Sequence, residues 1–133
     1  MSIPLICIAL LGFLVLGLGF AVSLTRAKTN TLYGCTDNPE DILYRMMRAH
    51  GNTIEYAPII ALLIYILSQT PQSGWVIWCM ILITSFRFLF VAGIIIPKSM
   101  AQANPMRFLG ALGTYLTGFG LCTAVILQAL NAQ

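Results

Sequence analysis

Apolar residues run from Pro4 to Leu24 without a charge, from Tyr56 to Leu67, from Trp75 to Ile96 around a single Arg87, and from Met106 to Leu130 with Arg107 in the first turn. A bilayer core of roughly 30 Å takes about 20 mostly apolar helical residues per span, and three of these runs are long enough. The second gives only about 18 Å at ~1.5 Å per residue, so polar turns on its N-terminal side must enter the membrane with it. Asn38-Pro39-Glu40-Asp41 supplies the start signal for that helix, with an N-cap, a proline at the first helical position and two acids in the first turn. The pattern predicts helices over 4–25, 39–69, 75–96 and 106–130 in a single domain spanning 1–133. The connections are a polar stretch from Arg26 to Asn38 containing Gly34, a turn over 70–74 and a loop from Pro97 to Pro105. Trp75 and Trp78 suit an interfacial belt where the third helix begins. The expected fold is an all-α membrane protein, a bundle of four transmembrane helices, with the first helix retained because no positive n-region precedes it.

Composition agrees with that pattern. Of 133 residues, 59% are hydrophobic and 8% charged, with mean hydropathy +0.88, which excludes an ordinary soluble domain. The net charge of +3 comes from scattered residues with no basic run, so neither nucleic acid nor a polybasic lipid tether is indicated. Cys7, Cys35, Cys79 and Cys122 form no CxxC pair, and neither a disulfide nor a metal site is assigned to them. The basic residues gather at the loops between helices one and two and between helices three and four, which the positive-inside rule places in the cytoplasm.

The second helix carries the candidate chemistry. At about 100° per residue, Asp41, Arg45, Arg48, Asn52 and Glu55 fall on one quarter of its circumference, with Tyr56 at the edge. Arg45 can meet Asp41 at i, i+4. Ionised groups at that depth must face protein or water, which leaves two readings: cross-links within the bundle or snorkelling to the interface, or a ligand site. All four acids lie between Asp37 and Glu55, whereas Arg26, Arg45, Arg48, Arg87 and Arg107 all fall toward one half of the membrane. That surplus of guanidinium groups implies an anionic ligand bearing carboxylates or a thiolate.

Residues 45 to 58, Arg45-Met-Met-Arg48-Ala-His50-Gly-Asn52-Thr-Ile-Glu55-Tyr56-Ala-Pro58, resemble the second-helix signature of the MAPEG family, which includes microsomal glutathione transferases, leukotriene C synthase and the membrane prostaglandin E synthase. Chain length, four spans and the arginines after the first helix, in the third and opening the fourth are also similar. The resemblance implies a homotrimer in an endoplasmic reticulum or bacterial inner membrane, with glutathione as thiol co-substrate bound between subunits near the cytoplasmic side. By position, Arg48, Asn52, Glu55 and Tyr56 match the residues that hold the peptide, Arg26 contributes from the end of the first helix, and Arg107 matches the arginine that approaches the sulfur from the adjacent subunit.

An arginine there suits the chemistry, because a guanidinium favours the thiolate, which is the attacking form. Arg107 also has a plain reading as an interfacial residue, and Arg87 as a structural partner of Glu55 or Asp41. Arg45 remains a further candidate. His50 lies off the stripe and reads as a packing residue behind the site. The chain departs from the family in carrying Phe90 and Ile94 where several members have His or Tyr. Tyr115, two turns beyond Arg107, either substitutes for the lost hydroxyl or packs between helices. The leading expectation is a glutathione-dependent transferase or peroxidase acting on lipophilic electrophiles in the bilayer. The alternative is a non-catalytic member of the same fold that binds lipid or partner proteins. A small multidrug exporter is disfavoured, since such chains resemble one another in an acid within the first helix and Pro4 to Leu24 has none.

Overall fold

A computed structural model describes residues 2–131 as four helices, with no strand among the described residues: α1 (Ile3–Thr29), α2 (Ile42–Leu67), α3 (Gly74–Ile95) and α4 (Pro105–Asn131). Each is long and apolar enough to cross a membrane, and the chain is a multi-pass integral membrane protein. Large side chains such as Phe13, Leu16, Phe20, Leu116 and Phe119 point outward, as expected where lipid is the solvent.

One helix stop and one helix start differ from those predicted by three or more residues. α1 runs a turn past Leu24 and through Arg26, because Asn30 adopts the left-handed conformation (φ 52°) that ends a helix and its N–H closes on the Arg26 carbonyl. The Thr25 and Thr29 hydroxyls bond back to the carbonyls of Ala21 and Thr25, at 2.8 and 3.0 Å, so these polar residues continue the helix. α2 starts later than Asn38 and Pro39. Asn38 to Asp41 closes a turn instead, with the Asp41 N–H on the Asn38 carbonyl at 3.0 Å and the Glu40 N–H on Asn38 Oδ1 at 2.9 Å. Asp41 is the N-cap, accepting from the Leu43 N–H at 2.9 Å, while the Thr36 hydroxyl donates to its other oxygen.

α3 and α4 pack closest because glycines remove side chains from their contact. A Cβ on Gly93 would strike the Arg107 backbone, one on Gly110 would lie 2.6 Å from the Phe90 nitrogen, and one on Gly113 would strike the Phe86 ring. Gly110, Gly113, Thr114, Thr117, Leu121 and Ala124 form the buried stripe of α4, the small-residue interface that lets membrane helices approach where no hydrophobic force drives them. This packing sets Arg107 against the wall that Phe90 and Ile94 present.

The interior is divided. One apolar cluster joins Leu11, Ile60, Ile64, Met80, Ile83 and Leu121; a second, toward the end bearing the α1–α2 and α3–α4 loops, joins Leu14, Leu18, Ala49, Val91 and Ile94. Between them lie Asn52, Thr53, Thr84 and Arg87. Thr53 and Thr84 satisfy their hydroxyls on the carbonyls of Ala49 and Met80.

Gly110→Ala should cost about 1–3 kcal/mol of stability, since the obstructing atoms belong to backbone, whereas Gly17→Ala, which meets nothing within 4 Å, should stay within about 0.5 kcal/mol; melting midpoints in detergent decide. The hydrogen bonds from Thr36 and the Leu43 N–H hold the Asp41 carboxyl below its ordinary value of 3.8. A lowered folded-state value stabilises above the unfolded value and the gain is lost as pH falls through the folded one. The destabilisation caused by Asp41→Ala should therefore be full at pH about 7 and fade below about 4.

Candidate functional site

Three- and four-residue steps put Arg48, Asn52, Tyr56, Ile60 and Leu63 on one face of α2, and Arg107, Ala111, Tyr115, Gly118 and Cys122 on one face of α4. The two faces border a single seam. At the loop end the seam opens into a cleft of about 460 Å³ with Arg48 and Asn52 on one side, Phe90 and Ile94 at the back, and Asn104 and Arg107 on the other. One helical turn deeper, from Asn52 to Tyr56 and from Ala111 to Tyr115, it continues as a crevice of about 200 Å³ whose walls, Ile60, Leu63 and Phe119 among them, are almost wholly apolar.

Arg107 is placed by the start of α4. Asn104 caps it, accepting from the Arg107 N–H at 3.1 Å, with Pro105 at the first helical position. Its guanidinium donates to the Met100 and Gln102 carbonyls, each at 3.1 Å, which uses two of five donors and holds the α3–α4 loop around the cleft. Arg48 is exposed on the same cleft and donates to no protein group among the described residues. No acid lines the cleft, so the field inside it is set by two cations.

Arg87 is 1% exposed and closes the back of the site. It donates to Asn52 Oδ1 at 2.8 Å and to the Asn52 carbonyl at 3.4 Å, and its guanidinium lies 5.1 Å from the ring centroids of both Tyr56 and Phe90. The partner anticipated from sequence was a carboxylate of Glu55 or Asp41. The hydrogen bonds go to Asn52 instead, because the α2 turn that faces Arg87 presents the amide while Glu55 points outward and is exposed. Asp41, at the head of α2, spends its oxygens on Thr36 and Leu43.

The anticipated Arg45–Asp41 pair is likewise replaced. Arg45, 9% exposed, donates to the Ile95 carbonyl at 3.0 Å and to that of Pro97, where the end of α3 leaves carbonyls unpaired and carries partial negative charge. It ties α2 to the loop that frames the cleft without lining the cleft itself. Arg26 bonds the Thr31 carbonyl at 3.4 Å and the Met47 sulfur at 3.2 Å, so within one chain it stands apart from the cleft. His50 packs on α1, its Nε2 lying 3.2 Å from where a Cβ on Gly19 would sit. Tyr56 and Tyr115 meet hydroxyl to hydroxyl at 2.9 Å, rings edge to face with centroids 6.0 Å apart.

Asn104 and Met100 escaped the sequence reading. The Asn104-Pro105 pair is a helix-start signal and could have placed an amide beside Arg107; Met100, in an irregular loop, offers no periodicity to find it by. The Asn52–Arg87 contact yields a stability test. Asn52→Leu strands a buried guanidinium, so it should destabilise more than the double change Asn52→Leu with Arg87→Leu, by about 1–3 kcal/mol; denaturation in detergent of the two variants supplies the comparison.

No curated protein and no solved structure matches the chain. Residues 4–127, nearly its whole length, match the model of the MAPEG family, and with four membrane-spanning helices and that family's signature on α2, the chain belongs to the MAPEG family.

Proposed function

We propose that the protein is a glutathione-dependent transferase or peroxidase that joins the thiol to, or uses it to reduce, lipophilic electrophiles drawn from the bilayer. The observation that carries this reading is a cleft flanked by Arg48 and Arg107, free of acidic lining, that runs along one seam into an apolar crevice. An anionic tripeptide fits the first part and an apolar molecule the second. Its carboxylates pair with Arg48 and the Asn52 side, its amino group with Glu55, which points outward beside the cleft, and its sulfur lies toward Arg107 of the same chain, where the family resemblance implied an arginine of the adjacent subunit. That guanidinium has donors beyond the two spent on carbonyls and stabilises the thiolate that attacks. The thiol reaches the site from the cytoplasmic face, where the α1–α2 and α3–α4 loops lie, in an endoplasmic reticulum or bacterial inner membrane.

A homotrimer is part of the same proposal. Arg48 and Glu55 are exposed on α2, and charged groups at membrane depth face protein or water rather than lipid. Neighbouring subunits, each covering the other's seam, meet that requirement, bring Arg26 of one chain toward the cleft of the next, and leave the outer faces to lipid.

The second reading, a member that binds without catalysis, draws on the cleft's back wall. The Phe90 ring is committed to Arg87 and Ile94 is apolar, so neither offers a hydrogen bond to a sulfur. Its signature is glutathione binding with no turnover of any electrophile.

Adding glutathione to the detergent-solubilised protein should produce thiolate absorbance in the ultraviolet. Arg48→Ala should weaken glutathione binding about ten- to a hundredfold, the worth of about 1.5–3 kcal/mol for hydrogen bonds to a charged group. Arg107→Ala should remove most of the thiolate signal. Wild-type binding and signal in both variants would refute the assigned site.

A further inference from the structure

We propose that Tyr115, backed by Tyr56, is the proton donor to the oxygen of carbonyl-bearing electrophiles as the thiolate adds to them. The inference rests on the function proposed above and assigns to this chain a group that α3 does not supply.

The whole seam offers few hydroxyls. The residues lining the cleft have none, and Phe90 and Ile94 make its rear wall apolar. Thr114, one of three hydroxyl-bearing residues in the crevice, has already given its proton to the Gly110 carbonyl at 2.7 Å. The remaining two are Tyr56 and Tyr115, which share one hydrogen bond at 2.9 Å. A bond between two hydroxyls consumes one proton and leaves the other free, so the pair always holds a donor in reserve.

Its location decides what it donates to. The pair sits one turn beyond the cleft on both α2 and α4, where the polar part of the seam meets the apolar part. An electrophile with its hydrocarbon in the crevice and its reactive carbons toward the cleft brings its oxygen to that junction. Tyr115 is 48% exposed, while Tyr56, partly buried, has its ring against the Arg87 guanidinium at 5.1 Å. With Tyr56 donating to Tyr115, the Tyr115 proton is left free for a substrate oxygen, and the phenolate left behind after transfer is met by the Tyr56 hydroxyl with a cation behind it.

For an α,β-unsaturated ketone the step balances without an oxidant or a leaving group. Sulfur bonds to the β-carbon, the π electrons shift through to the carbonyl oxygen, and that oxygen takes the Tyr115 proton. The phenolate regains a proton, by way of water, equivalent to the one the thiol lost on becoming a thiolate, and the enol relaxes to the ketone.

The test compares two electrophiles with glutathione as the thiol: benzylideneacetone, whose oxygen gains a proton, and chlorodinitrobenzene, which expels chloride and needs none. Tyr115→Phe keeps the ring, so a purely structural role would lower both rates together. The expected result is a fall in the ketone-to-aryl-chloride ratio of kcat by about a hundredfold or more, with a smaller fall for Tyr56→Phe. A larger normal solvent deuterium isotope effect on wild-type turnover of the ketone than of the aryl chloride, which shares only the thiol ionisation, is expected as well, and it requires no variant to fold. An unchanged ratio in Tyr115→Phe, or equal isotope effects on the two substrates, overturns this inference while leaving the parent reading intact. Wild-type protein that forms thiolate with glutathione yet neither conjugates these compounds nor reduces a lipophilic hydroperoxide overturns both.

Discussion

A cation buried at membrane depth has to be answered by the protein around it, and the arrangement of this bundle follows from how Arg87 is answered. The hydrogen bonds come from one residue, Asn52, and the rest from the faces of Tyr56 and Phe90. An amide and two rings neutralise nothing; they solvate. The positive charge persists at the back of the seam, next to a cleft already edged by Arg48 and Arg107, which makes the region attractive to anions by geometry and by field together. The same contact fixes the rotation of α2 and α3 relative to each other, since turning either helix would expose the guanidinium to apolar surroundings.

Glycine supplies the second constraint. Gly93, Gly110 and Gly113 let the α3 and α4 backbones come close enough that Arg107 stands opposite Asn52 and Arg48. The carbonyls at the end of α3 are taken by Arg45 and those of the following loop by Arg107. Two arginines that read from sequence as ligand-binding charges therefore serve the backbone wholly or in part. Arg48 keeps its donors for the cleft.

Much of this was legible in the chain. Four apolar runs and the α2 signature sufficed for the architecture and the family, because span length and side-chain period are written in local sequence. Of the stripe read on α2, Arg48 and Asn52 line the cleft, whereas Asp41 caps the helix, Arg45 turns to the end of α3 and Glu55 points outward. Pairing Arg45 with Asp41 and Arg87 with a carboxylate assumes that charge seeks charge. In the folded chain, carbonyls at a helix end and a side-chain amide are nearer and already desolvated, and such acceptors belong to other elements that a helical-wheel argument cannot place. The start of α2 was misplaced for a related reason: Asn38-Pro39 has turn chemistry and helix-start chemistry at once, and Asp41 held the stronger cap. The meeting of Tyr56 with Tyr115 depends on how far the glycines of α4 let it approach, and no spacing within either helix announces that.

The order in which the chain emerges from the ribosome bears on how Arg87 enters a bilayer at all. Asn52 and Tyr56 precede it, separated from it by 35 residues in the case of Asn52, so at about 5–20 residues per second the acceptors are delivered roughly 2–7 s earlier. An arginine in an isolated hydrophobic segment is penalised on insertion by about 2.5–3.5 kcal/mol, but here the segment arrives beside a helix already carrying a carbonyl, an amide and a phenol ring at matching depth. Biogenesis of the third span is thereby coupled to the second, and the two halves of this small protein would not insert with equal ease if synthesised apart.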